Sequence, residues 1–115
     1  MMQDQIRSDI SSVANIMKIL GDPNRLHILS LINQQELCVC ELTAILDLSQ
    51  SNVSQHLAKM RSAGLVRERK HAQWVYYSVN PEKLPLLKNI INSLPDTSSE
   101  LSKLNGIQEH LRCKI

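Results

Sequence analysis

Leu48-Ser49-Gln50-Ser51-Asn52-Val53-Ser54-Gln55-His56-Leu57-Ala58-Lys59-Met60-Arg61-Ser62-Ala63-Gly64 is the stretch on which the fold turns. Ser49 is placed to accept the free N–H groups of a helix start, and Gly64 suits a helix end. Between them Val53, Leu57 and Met60 fall at i, i+4 and i+7, which makes one buried stripe and predicts a helix over about 50–63. The opposite face carries Gln50, Ser51, Asn52, Ser54, Gln55 and Lys59, amide, hydroxyl and cationic groups able to meet base edges and phosphates in a major groove. His56 on the same helix fits a phosphate contact or a structural hydrogen bond equally well.

Just upstream, Asp47-Leu48-Ser49 reads as a tight turn after a short helix from about Val39 to Leu46, which carries Leu42, Ile45 and Leu46 inward. Just downstream the period changes from helical to two. Val66 to Lys70 and Trp74 to Val79 alternate as the strands of a β-hairpin, a wing over about 65–79 that turns through His71-Ala72-Gln73. Between Gln55 and His71 lie Lys59, Arg61, Arg67, Arg69 and Lys70 against the single acid Glu68, an excess of five minus one. Such a local excess is the footprint expected where phosphates dock.

Further out, Val13, Ile16, Met17, Ile19 and Leu20 recur at helical spacing and stop at Gly21, so a first helix is expected over about 6–20. Asp22-Pro23 is a cap-then-proline signal opening a second helix to about Asn33, whose Leu26, Ile28, Leu29, Leu31 and Ile32 nearly encircle it. Asn80-Pro81 repeats that signal for a fifth helix over about 81–94. Its Leu84, Leu87, Ile91 and Leu94, widened by Leu86 and Ile90, exceed what one domain can cover and assign one side to a second subunit. Thr97-Ser98-Ser99-Glu100 matches a capping box for a sixth helix over about 98–112, edged by Leu101, Leu104, Ile107 and Leu111.

At 115 residues the chain is sized for one domain, 1–115, of mainly α class with a β-hairpin. A formal charge of +2 is too small to identify a polyanion partner by itself. The N-terminus has neither a secretory signal nor a membrane span, so a cytoplasmic protein with no membrane partner is expected. Phe is absent and Trp74, Tyr76 and Tyr77 are the whole aromatic complement, which argues against stacking of unpaired bases. Cys38, Cys40 and Cys113 are an odd count in a reducing compartment, pointing away from structural disulfides and toward metal or redox chemistry. Cys38 and Cys40 stand at or beside the start of the third helix, where peptide dipoles favour thiolate. Side chains at i and i+2 do not share a helix face, so gripping one ion with both requires a non-helical first turn.

Leu20-Gly21-Asp22-Pro23-Asn24-Arg25-Leu26, Glu36-Leu37-Cys38-Val39-Cys40-Glu41-Leu42, the run Leu48 to Leu57, Gly64-Leu65-Val66 and Val75-Tyr76-Tyr77-Ser78 together resemble the ArsR/SmtB family of metal-sensing repressors, over about Val13 to Leu94. Cys38-Val39-Cys40 resembles its arsenite, antimonite and cadmium/lead branch. The resemblance implies a winged helix-turn-helix homodimer, paired through the first and fifth helices, that blocks transcription at an imperfect palindrome in double-stranded DNA until an ion releases it. No cofactor is then required for DNA binding. It assigns base and phosphate contacts to Gln50, Ser51, Asn52, Ser54 and Gln55, and to Arg67, Arg69 and Lys70 on the wing.

Family wings often turn through glycine, which this one lacks, and the arsenite pattern continues to a third Cys where this chain has Thr43. Arsenite, as the family binds it, takes three thiolates, so Cys113 is expected as the third metal ligand beside Cys38 and Cys40, from its own subunit or its partner. The fifth-helix zinc site of related proteins is not expected, because residues 81–94 contain no His. A second reading keeps the fold and changes the signal: Cys40 or Cys38 pairs reversibly with Cys113 in response to oxidant or reactive sulfur. A third, a thiol enzyme or metal buffer, finds no βαβ pattern, no Cys-x-x-Cys and no nearby His, so no enzyme is expected. The plainest alternative makes each cysteine a small buried apolar residue.

Overall fold

The computed structural model describes residues 2–111, with side chains as far as residue 104. Helix α1 spans Met2–Leu20, starting earlier than the periodicity suggested, and α2 spans Pro23–Gln34. Asp22 caps α2 through its carboxylate, which accepts from the N–H groups of Asn24 and Arg25. Ile28, Leu29, Leu31 and Ile32 are all buried, so α2 is the central rod that its encircling apolar residues predicted. Around it pack α3 (Val39–Leu46), α4 (Gln50–Ser62), α5 (Leu84–Asn92) and α6 (Ser98–Leu111). Val53, Leu57 and Met60 of α4 are at most 1% exposed, which anchors α4 by the expected stripe and leaves its polar face outward.

Gly64 at φ +75° closes α4 and turns the chain into the hairpin of β2 (Val66–His71) and β3 (Trp74–Val79). A third strand, β1 (Leu37–Cys38), was not visible in the sequence. It pairs antiparallel with β3, giving the order β1-β3-β2 with Leu37 opposite Tyr77 and Cys38 opposite Tyr76. The wing is therefore three strands wide, and its outer strand contains a thiol.

Two expectations at helix starts are corrected. The segment 81–94 is not one α-helix: Pro81–Lys83 form a 3-10 turn before α5. Pro85 has no N–H to give the Pro81 carbonyl, which instead accepts from Leu84, one residue nearer. The capping box expected at Thr97 and Glu100 is replaced by side-chain bonds to α2. The Thr97 hydroxyl accepts from Gln34 Nε2 at 2.7 Å, and Glu100 Oε1 meets His27 Nε2 at 2.7 Å. His27 thus ties α2 to α6.

The first fourteen described residues of α1 are exposed, and only Ile16 and Leu20 of that helix are buried. Among the described residues no helix is long and apolar enough to cross a membrane. Helices α2 to α4 with the β2–β3 hairpin form a winged helix-turn-helix.

Candidate nucleic-acid interface and thiol pair

Three residues, Asp47 to Ser49, join α3 to α4. Asp47 takes the left-handed conformation at φ 55°, which closes α3, and Ser49 Oγ accepts from the Asn52 N–H at 3.1 Å, which opens α4. From this fixed corner Gln50, Ser51, Asn52, Ser54, Gln55 and Lys59 all project exposed, on the face opposite the buried stripe. His56 is half-buried and turned toward the head of α2. Burial pushes the Asp22 carboxyl up, but the N–H groups of Arg25 and Asn24 and the charges of His56 and Arg25 outweigh it and hold it below its ordinary value.

The wing cations are exposed as expected, but they do not share a face. Arg67 and Arg69 stand on one side of β2, and Lys70 on the other with Glu68. Nor are the arginines unpaired. Arg61 of α4 is tied to Glu68, Arg67 reaches Glu82 at 3.7 Å, and Arg69 is held by both oxygens of Glu36 at 3.0 and 3.1 Å. The Tyr77 hydroxyl also donates to Glu68 at 3.2 Å, and burial, followed by the Glu68 charge, pushes that phenol up. Among the described residues Lys59 and Lys70 carry no ion pair. The local excess of five cations over one acid is thus reduced by Glu36 and Glu82, which come from outside that stretch of sequence.

The thiols lie where the sheet meets the helix-turn-helix. Cys38 is both the last residue of β1 and the N-cap of α3, with extended backbone at φ −92°, ψ 170°. It forms a capping box with Glu41, whose carboxylate accepts from the Cys38 N–H at 3.0 Å. A capping box is recognised in sequence by Ser or Thr at its first position, and a Cys there carries no such signal. Cys40 is the second residue of α3 and half-buried, whereas Cys38 is 6% exposed. The non-helical first turn that a shared ion requires is thus already present at Cys38. Thr43, which occupies the position of a third Cys, donates its hydroxyl to the Cys40 carbonyl at 2.7 Å and so braces the same turn.

Among the described residues no three His, Cys, Asp or Glu side chains gather to hold an ion. The pair can supply two sulfur ligands and no more. Cys113, the expected third ligand, lies outside the described residues. Pairing across an antiparallel sheet places partners on the same face, so Cys38, Tyr76 and Arg69 form one lateral row across all three strands. Glu36, two residues before Cys38, shares that face. Arg69 is marked in the sequence by the local cation excess, whereas Glu36 and Tyr76 carry no such mark. Their signal was the period-two parity, which became usable once Leu37–Cys38 proved to be a strand.

The model of the arsR family of bacterial regulatory proteins matches residues 22–68, from the cap of α2 into β2. The arsenic resistance transcriptional regulator ArsR1 of Pseudomonas putida is 41% identical over 86 residues, which are 74% of this chain and 67% of that protein. The transcriptional activator HlyU of Vibrio cholerae is 36% identical over 93 residues, 81% of this chain and 85% of its own. Among solved structures, the homodimeric winged helix-turn-helix DNA-binding domain Mb0332 of Mycobacterium bovis superposes with a TM-score of 0.69 at 27% identity, over 77% of this chain and 82% of that one. With its fold, helix-turn-helix residues and matches in agreement, the chain belongs to the ArsR/SmtB family of regulators.

Proposed function

We propose that this chain is a homodimeric transcriptional repressor that releases its operator when arsenite or antimonite, or alternatively Cd(II) or Pb(II), is captured by Cys38 and Cys40, with Cys113 as third ligand. The observation that carries the reading is the position of Cys38. It belongs at once to the wing sheet through Tyr76 and to the helix-turn-helix as the cap of α3. Drawing its sulfur and that of Cys40 together must alter one or both.

In the DNA-bound form Gln50, Ser51, Asn52, Ser54 and Gln55 read base edges, and Lys59, Arg67, Arg69 and Lys70 meet phosphates, with His56 at the rim of the interface. The dimer is formed by the apolar stripe of α1, Ile6, Ile10, Val13 and Met17, which is 38 to 65% exposed in the single chain, together with Leu84 and Leu86 of α5. Two symmetric reading heads fit a palindromic site. A release of tenfold to hundredfold requires a coupling of roughly 1.4 to 2.7 kcal/mol between the sites, which is ordinary for allostery.

The test is operator release followed by anisotropy during arsenite titration, on the parent and on Cys38→Ser, Cys40→Ser and Cys113→Ser. Release by the parent, with loss of response in the first two, supports the reading. Unchanged release in both sinks it. Because the same thiols also fit an oxidant-sensing reading, peroxide and polysulfide belong in the same titration. Release by these agents alone would move the assignment to the oxidant reading of the same thiols.

A further inference from the structure

We propose that Glu36 is the positioning residue that transmits a change at the thiol strand to Arg69 of the wing, an inference that rests on the thiol-switched reading above. The contact is specific. Arg69 Nε lies 3.1 and 3.0 Å from the two carboxylate oxygens, and its Nη2 lies 2.9 Å from Oε1. The guanidinium carbon stands 5.2 Å from the centre of the Tyr76 ring. One edge of the guanidinium is thus fixed by Glu36 and one face by Tyr76, and Nη1, which takes no part in the Glu36 contact, keeps its donors for a phosphate. Arg69 is set in place by these two neighbours rather than by its own flexible stem.

Glu36 is also the group best placed to feel the thiols. It precedes β1, whose ladder to β3 is two residues long, and it stands on the same face as Cys38. So short a ladder offers little resistance when the Cys38 sulfur is drawn toward Cys40. This two-nitrogen fork, a three-centre bond from Nε to both oxygens beside the Nη2–Oε1 ion pair, is lost on a shift of about 1 Å, because each contact needs its own distance and angle. The other arginine pairs do not lead to the thiols: Arg61–Glu68 joins α4 to β2, and Arg67–Glu82 joins β2 to the 3-10 turn. Among the described residues, Glu36–Arg69 is the ion pair that spans from the thiol segment to the wing.

The experiment compares operator affinity with and without arsenite for the parent, Glu36→Gln and Glu82→Gln. Both substitutions remove one negative charge beside a wing arginine, so Glu82→Gln is expected to bind operator at least as tightly as the parent, whereas Glu36→Gln, which also loses the group that sets Arg69 in place, is expected to bind more weakly but measurably. They differ in the ratio of affinities. The parent and Glu82→Gln should lose about tenfold or more on adding arsenite, and Glu36→Gln less than about threefold, although it still binds arsenite in the absence of DNA. Arg69→Lys keeps the charge but cannot make the fork, and should show the same reduced ratio.

Equal ratios in all four proteins overturn the link and leave the thiol-switched reading standing. No release in the parent overturns both. A Glu36→Gln protein that melts with the parent yet fails to bind operator at all also overturns the link, because the loss would then exceed what the positioning of one wing arginine can supply.

Discussion

At the scale of single residues, Cys38 serves as strand partner, helix cap and candidate ligand, and these duties can be separated. Serine is among the best N-cap residues, so Cys38→Ser should keep α3 capped and change unfolding free energy by no more than about 1 kcal/mol, measured by urea denaturation. Loss of inducer response in that variant would then report on sulfur chemistry and not on folding. Glu36 supplies a second residue-scale prediction. The hydrogen bond from Arg69, against a smaller effect of desolvation, holds its carboxyl below the ordinary value of 4.5. The folded-state value is thus depressed, so the pair is intact at and above the ordinary value and is lost as pH falls through the lower one. A carboxyl carbon titration by NMR should place the Glu36 midpoint below 4.5 in the parent and raise it in Arg69→Gln. The exposed residues of α4 were legible because helical spacing separates them from Val53, Leu57 and Met60. The carboxylates facing the arginines were not, since Glu36 and Arg69 are 33 residues apart and no local spacing links them.

At the scale of elements, the helices were readable and the joints were not. Apolar period, Asp22 and Ser49 as caps, and Gly64 as a stop placed α2, α3 and α4 within a residue or so of their observed ends. Strand β1 escaped because two residues cannot display an alternation, and α5 began late because Pro85 imposes a tighter turn. The wing tip carries a testable strain. Ala72 sits at φ 55°, a left-handed conformation in which its Cβ crowds the following carbonyl. Ala72→Gly should therefore stabilise the protein by about 0.5–1 kcal/mol, after allowing for the greater freedom of glycine when unfolded. Gly64 is the mirror case at φ +75°, with space for a methyl group but a backbone that disfavours one. Gly64→Ala should cost about 1 kcal/mol. Thermal unfolding of the two variants, expected to shift in opposite directions, checks both.

At the scale of the whole molecule, α1 is the feature a single chain cannot explain. It is long, its first fourteen residues are exposed, and its Ile6, Ile10, Val13 and Met17 stripe meets solvent. Most helical stability in proteins comes from packing of an apolar face, so a partner surface is the natural source of its stability. Each such side chain buried in a dimer contributes on the order of 1.5–3 kcal/mol before the cost of association. Met17→Glu should therefore yield monomers by sedimentation equilibrium, with operator affinity falling by about tenfold or more as the second reading head is lost.

We propose a mechanical link: Cys38 belongs to the wing sheet and caps α3, so an ion gripped by Cys38 and Cys40 disturbs both. Amide hydrogen exchange in the DNA-free protein, with and without arsenite, reads this directly. Exchange should change in β1 and β3, at Cys38, Tyr76 and Tyr77, and at the start of α3, while the amides of the buried α2 core keep their protection. Arsenite bound at the thiols with unchanged exchange through β1, β3 and α3 would contradict the account.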